Sequence, residues 1–326
     1  VSPPSPSKPY TIQLGNDEIK VIDYYHFAFR DADVRTSEDA GDGPGIRLQL
    51  ENPYVNLTEW LVRDRVKDLL DAGATLADNA AALGASCDIV LICVTGSPQV
   101  EAVVAGPEGL LSKPKAGLII VDCSTSEPHS TTHLRELAHS KGVVFIDAPL
   151  ARSPVEAEAG RLNIMVGATQ ATFAKIEPVL KCCAENVFHV GEPGAGHAIK
   201  LLNNFIGQAI VAATAEAFAV GKRAGIDLKQ LVSLISAGPV NSGLFQAVSK
   251  TLDGDMEGLK FELDNARKDV RYYTHLAEGM AVPTMMGEAV HQSLSMASAL
   301  GFGKKYVSSM VEAQERINGI ELVPKK

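Results

Sequence analysis

Three short apolar runs in the first half of the chain constrain its fold most strongly. They are DIVLICV (88–94), LIIVDC (118–123) and VVFID (143–147), and the segments between them are compatible with helices. A continuous apolar run of this length, bounded by polar residues, is typical of a parallel strand buried on both faces. The alternation of strand and helix therefore predicts an α/β domain built on a doubly wound parallel sheet. Two further strands, 163–166 and 187–190, and a helix over 171–183 complete that prediction.

The character of the sequence changes after Gly196. Residues 197–224 contain no strand candidate and are apolar on most faces. Such a helix is about 42 Å long at about 1.5 Å per residue, and it should be buried between domains or between subunits. Everything beyond it also has helical patterning. We therefore expect an α/β domain over residues 1–192 and an all-α domain over residues 193–326, joined by a long interdomain helix.

Composition and charge narrow the class of protein. The 326 residues are 46% hydrophobic, which excludes a disordered chain, and the net charge of −9 excludes a basic surface for nucleic acid or anionic lipid. No run approaches the roughly 20 apolar residues of a membrane span, and the N-terminus lacks a signal pattern. Five cysteines without a CxxC motif indicate free thiols and a cytoplasmic protein. Residues 1–9 are expected to form a loose arm, and residues 10–55 are atypical.

Polar residues follow two of the predicted strands. Ser124 and Thr125 come directly after LIIVDC, and Arg152 comes shortly after VVFID. Ligands of open α/β sheets bind at the carboxyl ends of strands, so these side chains are candidates for a substrate site. The alternative for the hydroxyls is helix capping, and the alternative for Arg152 is a solvated loop position. A guanidinium suits carboxylate, sulfonate or phosphate groups.

A lysine stands near the start of the long apolar helix. Lys200 and Asn204 are four residues apart and share a helix face, with Asn203 beside them. Burial lowers the pKa of a lysine, which suits a proton donor that works near neutrality. The alternative is a lysine whose head reaches solvent. The glycines of GAGH (194–197) precede a long helix without a following strand, so they do not predict a dinucleotide loop.

Four of these segments together resemble the β-hydroxyacid dehydrogenase family, whose relatives include 3-hydroxyisobutyrate, tartronate semialdehyde and sulfolactaldehyde reductases. The segments are DCSTSEP, DAPLARSPVEAEAGRLNIMVGA, GAGHAIKLLNN and RKDV, in the family's order from about residue 56 to the end. The resemblance implies a Rossmann-like domain and an all-α domain. It also implies an NAD(P)-dependent oxidoreductase that interconverts a small acidic β-hydroxyacid and its semialdehyde, as a homodimer or homotetramer.

The resemblance also implies roles for individual residues. Lys200 would be the general acid/base and Asn204 its positioning partner. The substrate would be held by Ser124, Thr125, Arg152, Ser153 and Asn203, and the cofactor by Val94 and Lys268, with no metal. Where the family has Ser-Gly-Gly, this chain has Ala151-Arg152-Ser153. We therefore expect an arginine that meets an acidic substrate head.

The N-terminal segment departs from the family's glycine-rich fingerprint. Gly41, Gly43 and Gly45 form the one glycine cluster before the readable strands and are the candidates for a phosphate loop. Asp42 would place negative charge beside a pyrophosphate, however, and Pro44 removes a backbone donor. Near 56–65 no acid stands clearly at the end of the strand to bond a ribose 2′-hydroxyl, whereas Arg63 and Arg65 could meet a 2′-phosphate. This favours NADP over NAD.

Two other functions remain compatible with the sequence. An imine-reductase-like enzyme would share the overall pattern, although that resemblance usually brings Asp or Tyr to the position of Lys200. A non-catalytic oligomeric scaffold with a degenerate cofactor site would explain the altered fingerprint. The retained Lys200, Asn204 and Ser124 argue against a scaffold.

Overall fold

The computed structural model describes residues 12–14, 17–19, 46–52, 55–61, 77 and 79–324. The chain divides into two compact units, Val1–Lys200 and Leu201–Lys326. This division falls inside a helix, and the predicted boundary between residues 192 and 193 stays a prediction.

Two antiparallel strand pairs come first: β1 (Ile12–Leu14) with β2 (Asp17–Ile19), and β3 (Ile46–Asn52) with β4 (Val55–Leu61).

The main sheet of the first unit has six strands. They are β5 (Ile89–Ile92), β6 (Ile119–Asp122), β7 (Val144–Asp147), β8 (Leu150–Ala151), β9 (Leu162–Gly167) and β10 (Ala184–Gly191). The order is β10-β9-β7-β6-β5, with β8 paired to β9. The predicted α/β fold class is confirmed by this arrangement of strands and intervening helices.

The sheet is not parallel throughout, which corrects one part of the expectation. Strands β5, β6 and β7 run parallel, and β9 and β10 run parallel to each other, but β9 is antiparallel to both β7 and β8. Residues 152–161 alone connect β8 to β9. A parallel return needs a crossover of about a dozen residues or more, so this connection favours an antiparallel one.

Helices cover both faces of the sheet. They are α1 (Ala80–Ser86), α2 (Ser97–Ala105), α3 (Pro128–Ser140), α4 (Pro154–Glu158) and α5 (Gln170–Leu180). One face packs with α1, α2 and α3 into a core that contains Val90 and Ile120, and the other packs with α5 into a core that contains Leu91 and Val121. Successive strand residues thus bury opposite faces, which explains why the sequence runs are apolar without alternation.

The long helix α6 spans Ala195–Arg223 and crosses the boundary between the units. In the second unit it is followed by α7 (Leu228–Ser236), α8 (Gly243–Ser249), α9 (Leu263–Gly279), α10 (Met285–Ala297) and α11 (Met310–Asn318). Val211, Phe218, Phe245, Val270 and Leu294 lie in the core of this unit. No strand occurs among the described residues after 191.

Helix α6 is long and apolar enough to cross a membrane by length and composition alone, contrary to the expectation from the sequence. Half of its most apolar window is buried inside the protein, as in the core helix of a globular domain. Apolar side chains also remain exposed on it, among them Leu202, Ile206 and Val220. The expected burial of this helix is therefore only partial within one chain.

Candidate functional site

The carboxyl end of β6 carries a buried aspartate that shapes the loop after it. Asp122 accepts a hydrogen bond from the main-chain N–H of Ser124 at 2.9 Å through Oδ1 and from the hydroxyl of Ser126 at 2.9 Å through Oδ2. The Ser124 hydroxyl in turn accepts the N–H of Val94, also at 2.9 Å. Because β5 and β6 are parallel neighbours, this bond joins their carboxyl ends. The structure thus brings together Ser124 and Val94, two residues singled out from the sequence.

The carboxyl end of β7 holds the beginning of α6. Asp147 is fully buried, and its Oδ2 accepts the N–H of His197 at 2.8 Å while its Oδ1 accepts the N–H of Gly194 at 2.5 Å. A carboxylate at a helix N-terminus satisfies free donors and interacts favourably with the helix dipole. A side chain at Gly196 would lie 2.4 Å from the Met165 carbonyl oxygen, so this glycine serves close packing. The GAGH segment is therefore a docking point for the helix.

Lys200 lies in the second turn of α6, on the helix that Asp147 holds. Its side chain is half-buried. Asn203 is exposed, and its amide nitrogen lies 3.2 Å from Asn204 Oδ1. Lys200 and Asn204 are one helical turn apart, as predicted from their spacing.

In the second unit, Asn204 belongs to a buried polar cluster. Its amide donates to Asp269 Oδ2 at 2.6 Å, and both side chains are buried. Lys268 Nζ lies 2.9 Å from Asp269 Oδ1 and 5.0 Å from the centre of the Tyr272 ring. Asp269 thus fixes the amide that was expected to orient Lys200 and balances the charge of Lys268.

Arg152 occupies a different environment from the one expected. Its Nη1 donates to the carbonyl oxygen of Arg161 at 2.6 Å and forms an ion pair with Glu185. This pair lowers the pKa of the Glu185 carboxyl, chiefly through the hydrogen bond from Arg152. Strand β8 continues the direction of β7, so Arg152 lies opposite the beginning of β9 and beyond the end of β7. Its φ of +84° lies in the left-handed region, which favours glycine, and the resemblance to the family implies a glycine at this position.

Ser153 is occupied as a helix cap. Its hydroxyl accepts the N–H of Val155 at 3.3 Å, and Glu156 Oε2 accepts the Ser153 N–H at 3.0 Å, which forms a capping box. Hydrogen bonds from Ser153 hold the pKa of Glu156 below its usual value. The hydroxyl of Ser153 thus caps the start of α4, and the substrate contact expected of Ser153 stays a prediction.

The carboxyl end of β5 is compatible with a dinucleotide cofactor. Val94 is partly buried at the carboxyl end of β5, next to the Ser124 hydroxyl, and Gly96 precedes α2 without a side-chain cap. This edge of a doubly wound sheet is where such cofactors lie. The remaining cofactor candidates lie outside the described residues: Gly41, Gly43, Gly45, Arg63 and Arg65. Within the described part of the chain, no three His, Cys, Asp or Glu side chains are grouped to hold a metal ion.

The aspartates were missed by the sequence reasoning, as was His197. Asp122 and Asp147 each form the last residue of an apolar strand, and both are almost completely buried. A charged residue that ends a buried strand needs hydrogen-bond partners, so this position was a usable signal. The partners of Asp269 and His197 are distant in sequence, so no local signal existed for them.

Comparisons with known proteins match two successive segments of the chain. Residues 48–191 match the NAD binding domain of 6-phosphogluconate dehydrogenase, and residues 194–314 match the NAD-binding domain of NADP-dependent 3-hydroxyisobutyrate dehydrogenase. The chain is 32% identical to 2-(hydroxymethyl)glutarate dehydrogenase of Eubacterium barkeri over 80% of this chain and 87% of that protein. The chain belongs to the β-hydroxyacid dehydrogenase family. It is therefore an NAD(P)-dependent oxidoreductase that acts on CH–OH groups.

Other members of the β-hydroxyacid dehydrogenase family are also similar to this chain. L-threonate dehydrogenase of Cupriavidus necator is 30% identical over 77% of this chain and 84% of that protein. The crystal structure of 3-hydroxyisobutyrate dehydrogenase from Salmonella typhimurium superposes with a TM-score of 0.67 at 26% identity, covering 77% of this chain and 88% of that chain. An imine reductase from Myxococcus stipitatus, at 19% identity and a TM-score of 0.50, shares the fold alone.

Proposed function

We propose that this enzyme interconverts a small acidic β-hydroxyacid and its semialdehyde, with Lys200 as the general acid/base. The observation that carries the proposal is the placement of Lys200 on a helix whose first turn is hydrogen-bonded to the end of β7, next to the strand whose end carries Ser124. The relatives named above act on hydroxyacids, which supports an acidic substrate.

The proposed chemistry assigns one task to each residue. The nicotinamide, when bound, accepts or supplies the hydride. Lys200 donates a proton to the developing alkoxide during reduction, and its positive charge stabilises that oxygen before the transfer. Asn204, whose amide donates to Asp269, orients the ammonium. Lys268 is assigned to the nicotinamide end of the cofactor by the resemblance to the family. Ser124 and Thr125 hydrogen-bond the substrate, and Asn203 contributes a further polar contact.

Arg152 is proposed to bind the anionic tail of the substrate. Only its Nη1 has hydrogen-bond partners among the described residues, so Nε and Nη2 retain donors for a carboxylate or sulfonate. Glu185 is half-exposed and competes for the same guanidinium. The imine-reductase alternative ranks lower, because Lys200 stands where that resemblance usually brings Asp or Tyr.

The proposal is tested by steady-state kinetics on matched substrates. We expect kcat/KM for a carboxylated or sulfonated semialdehyde to exceed that for a neutral aldehyde of equal length by about tenfold or more, because a charge-assisted bond is worth about 1.5–3 kcal/mol. NADPH should be used more efficiently than NADH. Equal rates for both aldehydes would contradict the acidic-substrate proposal, and better turnover of a cyclic imine would favour the alternative.

We further propose that the enzyme is a cytoplasmic homodimer or homotetramer. The five cysteines, all free in the structure, suit a reducing compartment. Apolar or small residues on α6, at positions 202, 206, 213, 217 and 220, are exposed in the single chain and recur at the spacing of one helix face. A second copy that covers this face would remove it from water.

Sedimentation at micromolar concentration should show no monomer, and a monomer there would contradict this proposal.

A further inference from the structure

A completely buried histidine lies in the first turn of the helix that carries Lys200. The His197 side chain is 0% exposed, and the residue stands three positions before Lys200 on α6. Histidine is seldom fully buried without polar partners, because its ring nitrogens lose their water. The contacts of the His197 ring therefore indicate its role in the structure.

The ring of His197 lies between two elements of the first unit. Its Nδ1 is 2.7 Å from the hydroxyl of Thr131 on α3, and its Nε2 is 3.6 Å from Asp122 Oδ2 at the end of β6. The separation of 3.6 Å is too long for a hydrogen bond. Nε2 has no hydrogen-bond partner among the described residues, so the bond with Thr131 orients the ring.

The same aspartate connects His197 with Ser124. While Asp122 Oδ2 faces the imidazole, Oδ1 accepts the main-chain N–H of Ser124 at 2.9 Å. The main-chain N–H of His197 is also held, by Asp147 at the end of β7. The side chain and the backbone of His197 thus contact the ends of two neighbouring strands. A shift of the ring would move the first turn of α6 relative to the strand end that carries Ser124.

We propose that His197 is a positioning residue, which holds the first turn of α6 so that Lys200 and Ser124 keep a fixed relative geometry. The inference rests on the proposed roles of Lys200 and Ser124 and adds a residue to which neither the sequence pattern nor the family comparison assigned a role. Loss of the ring's anchor should misplace the proton donor by a fraction of an ångström to an ångström. Displacements of that size cost up to about 100-fold in rate.

The primary test compares His197→Leu with His197→Gln. Leucine removes the hydrogen bond to Thr131, and we expect kcat to fall about 10- to 100-fold. Glutamine retains a polar group that can reach the Thr131 hydroxyl, so it should recover part of the loss. The Kd for NADPH, measured by fluorescence, should stay within about threefold in both variants, because α6 is held through main-chain atoms by Asp147 as well.

A kinetic isotope effect separates positioning from a loss of folded protein. With NADPH deuterated at the transferred hydride, the isotope effect on kcat should rise in His197→Leu, because the chemical steps become slower than product release. A smaller fraction of folded enzyme would lower kcat and leave the isotope effect unchanged. Thermal unfolding monitored alongside reports that fraction directly.

A second pair of variants tests the hydrogen bond between His197 and Thr131 by changing the threonine. Thr131→Val deletes the hydroxyl that faces His197, and we expect the same fall in kcat and the same rise in isotope effect as for His197→Leu. Thr132→Val is the matched control, because Thr132 is exposed and, among the described residues, its hydroxyl bonds only the Pro128 carbonyl oxygen of its own helix. If His197→Leu does not fold, the threonine pair decides the question.

The outcomes also separate this inference from the proposed function. Unchanged kcat and isotope effect in folded His197→Leu or Thr131→Val would overturn the positioning role, as would parallel losses of kcat and NADPH affinity. If these variants keep full activity while Lys200→Ala is inactive, only the inference about His197 fails. If Lys200→Ala is active, the proposed function fails.

Discussion

Replacement of Lys200 by alanine should lower kcat about 10²- to 10⁴-fold while the Kd for NADPH stays within a few-fold. A positioned general acid contributes a factor of this order, and the effect is confined to the step in which the alkoxide is protonated. The measurement is steady-state reduction of the preferred semialdehyde, which gives kcat, together with a fluorescence titration of the cofactor.

Lys222→Ala is a matched control for Lys200→Ala, because Lys222 lies exposed in the last turn of the same helix. We expect this variant to retain kcat within about twofold, as surface substitutions usually have small effects. Equal losses of turnover and cofactor affinity in Lys200→Ala would mean that the lysine supports the structure of α6. The proposed proton transfer would then be wrong.

Replacement of Arg152 by alanine should raise KM for acidic semialdehydes about 10- to 100-fold and leave neutral aldehydes nearly unchanged. A charge-assisted hydrogen bond to an anion is worth about 1.5–3 kcal/mol, which corresponds to that factor. The change should appear in KM, because the bond is made equally in the ground and transition states. Parallel measurements on acidic and neutral substrates of equal length separate the two effects.

The ion pair with Glu185 supplies a second variant whose effect has the opposite sign. Glu185→Gln removes the charge that competes for the guanidinium, so KM for acidic substrates should fall if Arg152 binds them. If Arg152 instead holds the loop between β8 and β9, Arg152→Ala and Glu185→Gln should change KM in the same direction for acidic and neutral substrates alike. That result would contradict the proposed substrate contact.

The apolar segments show how much of the secondary structure local patterning predicts. Residues 118–123 were predicted as a buried strand, and β6 spans Ile119–Asp122; residues 197–224 were predicted as one helix, and α6 spans Ala195–Arg223. Continuous apolar runs and a helical apolar pattern depend on residues close together in the chain, so a single sequence is enough to predict these strands and this helix. The direction of β9 was missed, because it depends on the path of the chain after β8.

Ser124 and Arg152 show where local reasoning about the site stops. Both follow predicted strands, yet Ser124 faces the neighbouring strand end through Val94, whereas Arg152 pairs with Glu185 beyond the end of β7. The sequence could not distinguish these two environments. Whether β7 continues into β8 depends on how the strands pair in the sheet, which local patterning does not show. Ser153 is likewise a candidate for substrate binding, and only the structure shows that its hydroxyl also caps α4 in a capping box with Glu156.

By itself, the sequence determined the alternation of strands and helices, the long apolar helix and the four family motifs, because each depends on residues adjacent in the chain. Only the tertiary structure decided which carboxylates hold the beginning of α6 and the amide of Asn204. Asp147 meets Gly194 and His197, and Asp269 meets Asn204, across large separations in sequence. A buried carboxylate is stable only where folding brings donors to it, and those donors are identified by the packing of distant elements.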